Sequence, residues 1–175
     1  MRFTPLSVHG ACLIEPRFFE DDRGSFARTF CTAEMAAAGL DFSVVQTSLS
    51  CNPRRGTLRG LHLQIEPHGE RKLVSCSRGS IFDVIVDLRP QSPTFRSWFG
   101  AVLDSRTRAC LYIPKGCAHG FLTLEDDSDV SYAMADPYVP ETARGVRWDD
   151  PAFGIVWPEA PRLISERDRT YPDFL

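Results

Sequence analysis

Between Lys72 and Ala135 the chain breaks into short β-like runs: Lys72 to Cys76, Ser80 to Leu88, Trp98 to Leu103, Ala109 to Ile113, Phe121 to Leu124 and Val130 to Ala135. The segments between them carry turn chemistry, in Arg78-Gly79, Arg89-Pro90-Gln91-Ser92-Pro93, Lys115-Gly116 and Asp126-Asp127-Ser128. Strands that recur about every ten residues, with little helix, predict an antiparallel sandwich or barrel, an all-β fold. Ser80 to Leu88 alternates most cleanly, with Ile81, Asp83, Ile85 and Asp87 on one face and Phe82, Val84, Val86 and Leu88 on the other. One helical pattern stands out, Ala33 to Ala38, with Thr32 expected as its N-cap and Gly39 as its stop. No repeat or linker interrupts the chain, so residues 1–175 are expected to form a single domain. A domain of this size buries roughly two thirds of the surface its unfolded chain exposes.

Composition narrows the partners. The 43% hydrophobic content, with 12 Gly and 13 Pro spread along the chain, excludes disorder and collagen-like structure. Lys and Arg total 20 against 23 Asp and Glu, so no net field favours nucleic acid or an anionic membrane. An anionic ligand therefore needs a local cluster of cations. No apolar run approaches the ~20 residues of a membrane span, and the N-terminus lacks the pattern of a signal peptide. The six cysteines are scattered and form no CxxC pair, which predicts reduced thiols, a cytoplasmic setting and no structural zinc.

Two of the four histidines lie in informative contexts. His119 closes Pro114-Lys115-Gly116-Cys117-Ala118-His119, a Pro-x-Gly-x-x-His turn that resembles the second motif of the cupins, small jelly-roll barrels. The first cupin motif usually offers His-x-His plus a Glu to a metal. Here Gly60-Leu61-His62-Leu63-Gln64 has Gln64 in place of the second His. Glutamine is a poor ligand, so a metal-free barrel is expected in which His62 is available as a base.

A more specific resemblance runs in order through Gly56-Thr57-Leu58-Arg59-Gly60-Leu61-His62-Leu63-Gln64, Lys72-Leu73-Val74, Phe82-Asp83-Val84, Val86-Asp87-Leu88-Arg89 and Ser92-Pro93-Thr94. It continues through Ile113-Pro114, Ala118-His119-Gly120-Phe121, Arg144-Gly145-Val146-Arg147-Trp148-Asp149-Asp150-Pro151 and Ser165-Glu166-Arg167-Asp168. Together these resemble the dTDP-4-dehydrorhamnose 3,5-epimerase family, dimeric cupins that act on nucleotide-linked 4-keto-6-deoxy sugars without metal or redox cofactor. The resemblance implies a homodimer with strand exchange at the active site.

Epimerising a carbon beside a ketone requires a base, an acid on the opposite face, and a positive or hydrogen-bonding group at the ketone oxygen. His62 suits the base. The resemblance makes Asp168 its partner, Tyr132 the acid and Lys72 the cation at the enolate oxygen. Taken from the residues alone, Tyr132 shares a strand face with Val130 and Met134 and reads as core, and Lys72 reads as a solvated strand lysine. Asp83 lies between Ile81 and Ile85 on an apolar face and needs a partner there, for which Lys72 and His119 both qualify.

The diphosphate of such a substrate calls for Arg59 and Arg23, although Arg23 could also pair with Asp21 or Asp22. Phe26 is a candidate to stack on the base, which the family does across its dimer interface. Gln46, Ser48, Tyr138 and Arg167 complete the binding set that the resemblance implies. Arg28 stands where many members carry a glutamate that meets thymine, Ala143 replaces another glutamate, and Thr47-Ser48 replaces Asp-Asn. The nucleotide therefore stays open, as does inversion at C3 alone or at both C3 and C5. Rival readings are a 3,4-ketoisomerase on the same scaffold, a non-catalytic sugar-binding cupin, and a metal-dependent cupin oxygenase.

Overall fold

The computed structural model describes residues 1–174. Two large sheets face each other. The first contains, in spatial order, β1 (Arg2–Pro5), β2 (Cys12–Glu15), β10 (Cys110–Ile113), β7 (Lys72–Arg78), β12 (Ser128–Met134) and β5 (Gln46–Asn52). The second runs β13 (Ala143–Gly145), β6 (Thr57–Gln64), β11 (Cys117–Thr123), β8 (Ser80–Asp87) and β9 (Trp98–Asp104), and β14 (Leu163–Ile164) pairs parallel to β6. From β5 to β12 the chain crosses between sheets at each step except the β8–β9 hairpin. This alternation makes the jelly-roll barrel of a cupin. A separate hairpin, β3 (Phe18–Asp21) with β4 (Gly24–Ala27), pairs only with itself among the described residues.

The faces of β8 follow its alternation. Ile81 and Ile85 enter the core between the sheets with Val74, Leu111, Phe121 and Val130. Phe82, Val84 and Val86 point to the other side, where Val146, Phe153 and Trp157 of the later chain cover them. Both faces are therefore buried, and each fully enclosed large side chain, such as Phe121, contributes roughly 2–3 kcal/mol by leaving water.

Helix α1 (Thr32–Ala37) lies where the sequence predicts a helix, but its start differs. Cys31, not Thr32, occupies the N-cap, and no side chain caps the helix. The chain enters from extended backbone at Cys31, which makes Thr32 the first helical residue. Tertiary packing compensates, since Met35 is buried against Phe42, Leu73 and Tyr112. At the far end Gly39, at φ +76, supplies the left-handed residue that stops the helix. The second helix, α2 (Glu166–Arg169), is a single turn. Among the described residues no helix is long and apolar enough to cross a membrane, and all six cysteines are unpaired.

Candidate active site

A cavity of about 640 Å³ lies between the two sheets, lined by β5, β6, β7, β11 and β12 and by the segment from β14 into α2. Its geometry begins with a close approach of two strands. At Gly60, φ is +129, and a Cβ there would sit 2.5 Å from the Gly120 Cα, so β6 and β11 can touch only with glycine at this point. The β11 ladder shifts register between His119 and Phe121, leaving His119 opposite His62.

Asp168 reaches His62 from the other end of the sequence. β14 lies beside Thr57 and Leu58 of β6 and delivers the chain to α2. Ser165 caps that turn, its Oγ accepting from the Asp168 N–H at 3.1 Å. One Asp168 oxygen lies 2.7 Å from His62 Nε2, and the other accepts the Gly60 N–H at 3.1 Å. Burial would raise the Asp168 carboxyl, but the His62 bond and charge, with the Gly60 N–H, outweigh it and hold the group below the ordinary carboxylate range. An ionised carboxylate only accepts, which assigns the proton to Nε2 and leaves Nδ1 of His62 as the basic nitrogen.

From the opposing sheet come Tyr132 and Lys72. Tyr132 packs edge-on to His119, with ring centroids 5.9 Å apart. Its phenol is pushed up by burial and further by the charge of Asp83, so it stays protonated and able to donate. Lys72, at the start of β7, is buried rather than solvated, and its Nζ lies 2.6 Å from Glu70 Oε1. Asp83 takes His119 as its partner at 2.8 Å, which leaves Lys72 to Glu70. The β8–β11 ladder decides this: His119 stands opposite Ile85, beside Asp83 on the neighbouring strand, whereas Lys72 belongs to the other sheet.

Of the expected binding residues, Ser48, Arg59, His119, Tyr138 and Arg167 line the cavity with the His62, Lys72, Tyr132 and Asp168 group. Arg59 is held by Asn52, whose Oδ1 accepts from its Nε at 2.8 Å. Asp83 stands behind His119. Four expected residues are not brought to the cavity within this chain. Arg23 pairs with Asp21 at 2.6 Å, Arg28 pairs with Glu34 at 2.8 Å, Phe26 is 74% exposed on the β3–β4 hairpin, and Gln46 opens β5 opposite Met134.

Glu70, Asn52, Ser165 and Tyr171 escaped the sequence reading. Tyr171 lies edge-on to His62 at 6.3 Å. Ser165 carried a readable signal, because a Ser three residues before an Asp is a helix-start pattern; here only the Ser165 half of the cap forms, the Asp168 carboxylate going to His62 and Gly60. Gln64 is buried and its amide is occupied by backbone groups. Among the described residues no three His, Cys, Asp or Glu side chains converge as a metal-binding group.

The cavity thus joins a carboxylate-oriented imidazole from one sheet to a protonated phenol and a buried ammonium from the other. That combination suits removal and return of a proton beside a carbonyl. The family model of dTDP-4-dehydrorhamnose 3,5-epimerase matches residues 5–175. A dTDP-4-dehydrorhamnose 3,5-epimerase of Sinorhizobium fredii is 44% identical over 173 residues, covering 98% of this chain and 89% of its own. The crystal structure of the Bacillus anthracis dTDP-4-dehydrorhamnose 3,5-epimerase, with TDP and PPi bound, superposes with a TM-score of 0.95 at 38% identity, covering 99% of each chain. ChmJ, a 3'-monoepimerase of Streptomyces bikiniensis in complex with dTDP-quinovose, gives 0.89 at 36% identity over 97% of this chain and 86% of its own. The chain belongs to the dTDP-4-dehydrorhamnose 3,5-epimerase family.

Proposed function

We propose that the protein epimerises a nucleotide-diphospho-4-keto-6-deoxyhexose, dTDP-4-dehydro-6-deoxyglucose being the substrate, at C3 and C5 or at C3 alone. The observation that carries this reading is the origin of base and acid on opposite sheets of one cavity, His62 on β6 and Tyr132 on β12. His62 Nδ1 takes the proton beside the ketone, and Asp168 stabilises the imidazolium that forms. Lys72 stabilises the enolate oxygen. Tyr132 returns a proton to the other face; the His62 imidazolium then releases its proton to solvent and Tyr132 takes one back from solvent, which restores both groups. A ketoisomerase would have no use for an acid on the opposite face, and a binding module would need none of these groups in register.

Arg59 and Arg167 at the cavity rim are suited to the diphosphate. Arg23 and Phe26 reach substrate in a homodimer, in which the β3–β4 hairpin of one copy enters the cavity of the other. Support comes from two exposed features. Phe19 and Phe26 are 59% and 74% exposed on that hairpin. β5 is the unpaired edge of the first sheet and carries Leu49, 60% exposed, just after the exposed Val44 and Val45. Apolar side chains along a free strand edge favour pairing with a second copy. Six unpaired thiols support a reducing, cytoplasmic setting.

The test is incubation with dTDP-4-keto-6-deoxyglucose in deuterated water, with deuterium located by NMR. Label at C3 and C5 supports the full reaction and label at C3 alone the single inversion. No label at either carbon overturns the reading.

A further inference from the structure

Gln64 sits two residues after His62 on β6, on the same strand face, and is 2% exposed. Its amide nitrogen lies 3.1 Å from the His68 carbonyl, 3.1 Å from the Pro137 carbonyl and 3.4 Å from Glu70 Oε2. Its oxygen accepts the Val139 N–H at 2.5 Å. The two amide hydrogens are satisfied by the two carbonyls, which leaves Glu70 as the longer, weaker neighbour. The orientation admits no flip, because the reverse would set the amide nitrogen against an N–H and the oxygen against two carbonyls.

These partners bracket two groups that face the cavity. Pro137 and Val139 flank Tyr138, a lining residue that is itself 51% exposed, so the backbone on either side of it carries much of its placement. The turn at His68 leads into Glu70, which grips Lys72 at 2.6 Å. One buried side chain, on the strand that carries the base, therefore fixes the approach of Tyr138 from one side and of the Glu70–Lys72 pair from the other.

We propose that Gln64 is a positioning residue for the epimerisation, setting Tyr138 and the Lys72 ammonium relative to His62. The proposal rests on the epimerase reading above. A hydrocarbon of the same length would fill the space without tying any of the three segments together. A carboxylate would keep the acceptor for Val139 but oppose both carbonyls and Glu70. Glutamine supplies one acceptor and two donors in the order required, which is why this position does chemistry's alignment rather than ligation.

Displacing reacting groups by about an ångström costs on the order of 100-fold in rate, so Gln64→Met is expected to lower kcat about 10- to 100-fold while KM for dTDP-4-keto-6-deoxyglucose moves less than about threefold. Hydrogen exchange is expected to show the Val139 amide losing at least about tenfold protection, with circular dichroism unchanged, since Pro137 and Tyr138 are exposed and water can replace the lost bonds. Gln64→Glu serves if the methionine variant does not fold; it is expected to lose kcat while Val139 stays protected. A folded variant of either kind that turns over at the wild-type rate overturns the proposal alone. Absence of any exchange into substrate by the wild type would overturn the epimerase reading, and the proposal with it.

Discussion

His62 and His119 are register partners across β6 and β11, each with its own carboxylate, yet the His62 side chain is 40% exposed to the cavity and that of His119 only 4%. On the proposed mechanism the pair divides into a base that substrate can reach and a buried dyad that shapes the wall. His62→Ala is therefore expected to reduce solvent exchange into substrate by about 10²- to 10⁴-fold, the usual contribution of a general base, with nucleotide-sugar affinity nearly unchanged. His119→Ala strands Asp83 in the interior and is expected to cost about 3 kcal/mol or more in stability. Calorimetric titration and chemical denaturation distinguish the two; exchange near the wild-type rate in His62→Ala would identify another base.

Tyr132→Phe separates the two faces of the reaction. The ring and its edge contact with His119 are kept, but the donor on the second face is lost. The enolate still forms and is reprotonated by His62 with retention, so deuterium enters the substrate while inversion stops. Mass and configuration of recovered sugar read both outcomes. Inversion at the wild-type rate would return Tyr132 to a packing role and transfer the acid to Tyr138 or water.

Acid stability has a specific locus in Asp136. Burial would raise this carboxyl, but bonds from Arg71 and Lys115 outweigh it and bring it down to about 2. Its unfolded value is about 3.9. The folded group thus binds its proton less readily than the unfolded one, and its contribution is full above about pH 4 and lost as pH falls through about 2. Asp136→Asn is expected to cost about 1–2 kcal/mol at neutral pH, allowing for solvent screening, and to flatten the melting temperature across that acid window. An unchanged acid slope would place the sensitivity elsewhere.

Chelation offers a direct check on the role of metal. Gln64 spends its amide on the backbone, and His62 spends Nε2 on Asp168. Activity is expected to survive dialysis against a chelator without added divalent ions. Loss of activity that a divalent metal restores would overturn the metal-independent chemistry.

Legibility in the sequence followed local simplicity. β8 was readable because its two faces go to two apolar clusters, and the hydrophobic pattern carries that directly. β5 was not, since Gln-Thr-Ser-Leu-Ser-Cys-Asn has only one side to bury and its polar residues mask the strand. β6 hid behind Arg59, Gly60 and His62, residues that serve the site against strand propensity. The four residues of the proposed catalytic group were named through the family resemblance and line one cavity, but the burial of Lys72 against Glu70 needed the fold. So did the choice between Lys72 and His119 for Asp83, which only strand order could make. Arg23, Phe26, Arg28 and Gln46 are likewise legible as residue types but not as neighbours of this cavity.

His62 and its carboxylate partner Asp168 are separated by 106 positions, with β14 and α2 docking Asp168 onto a strand made much earlier. A ribosome working from the N-terminus thus finishes every strand of both large sheets up to β13 before the dyad exists. A nascent chain short of residue 168 holds an imidazole whose proton can sit on either nitrogen. The dyad is therefore complete only once α2 has been made and docked beside β6.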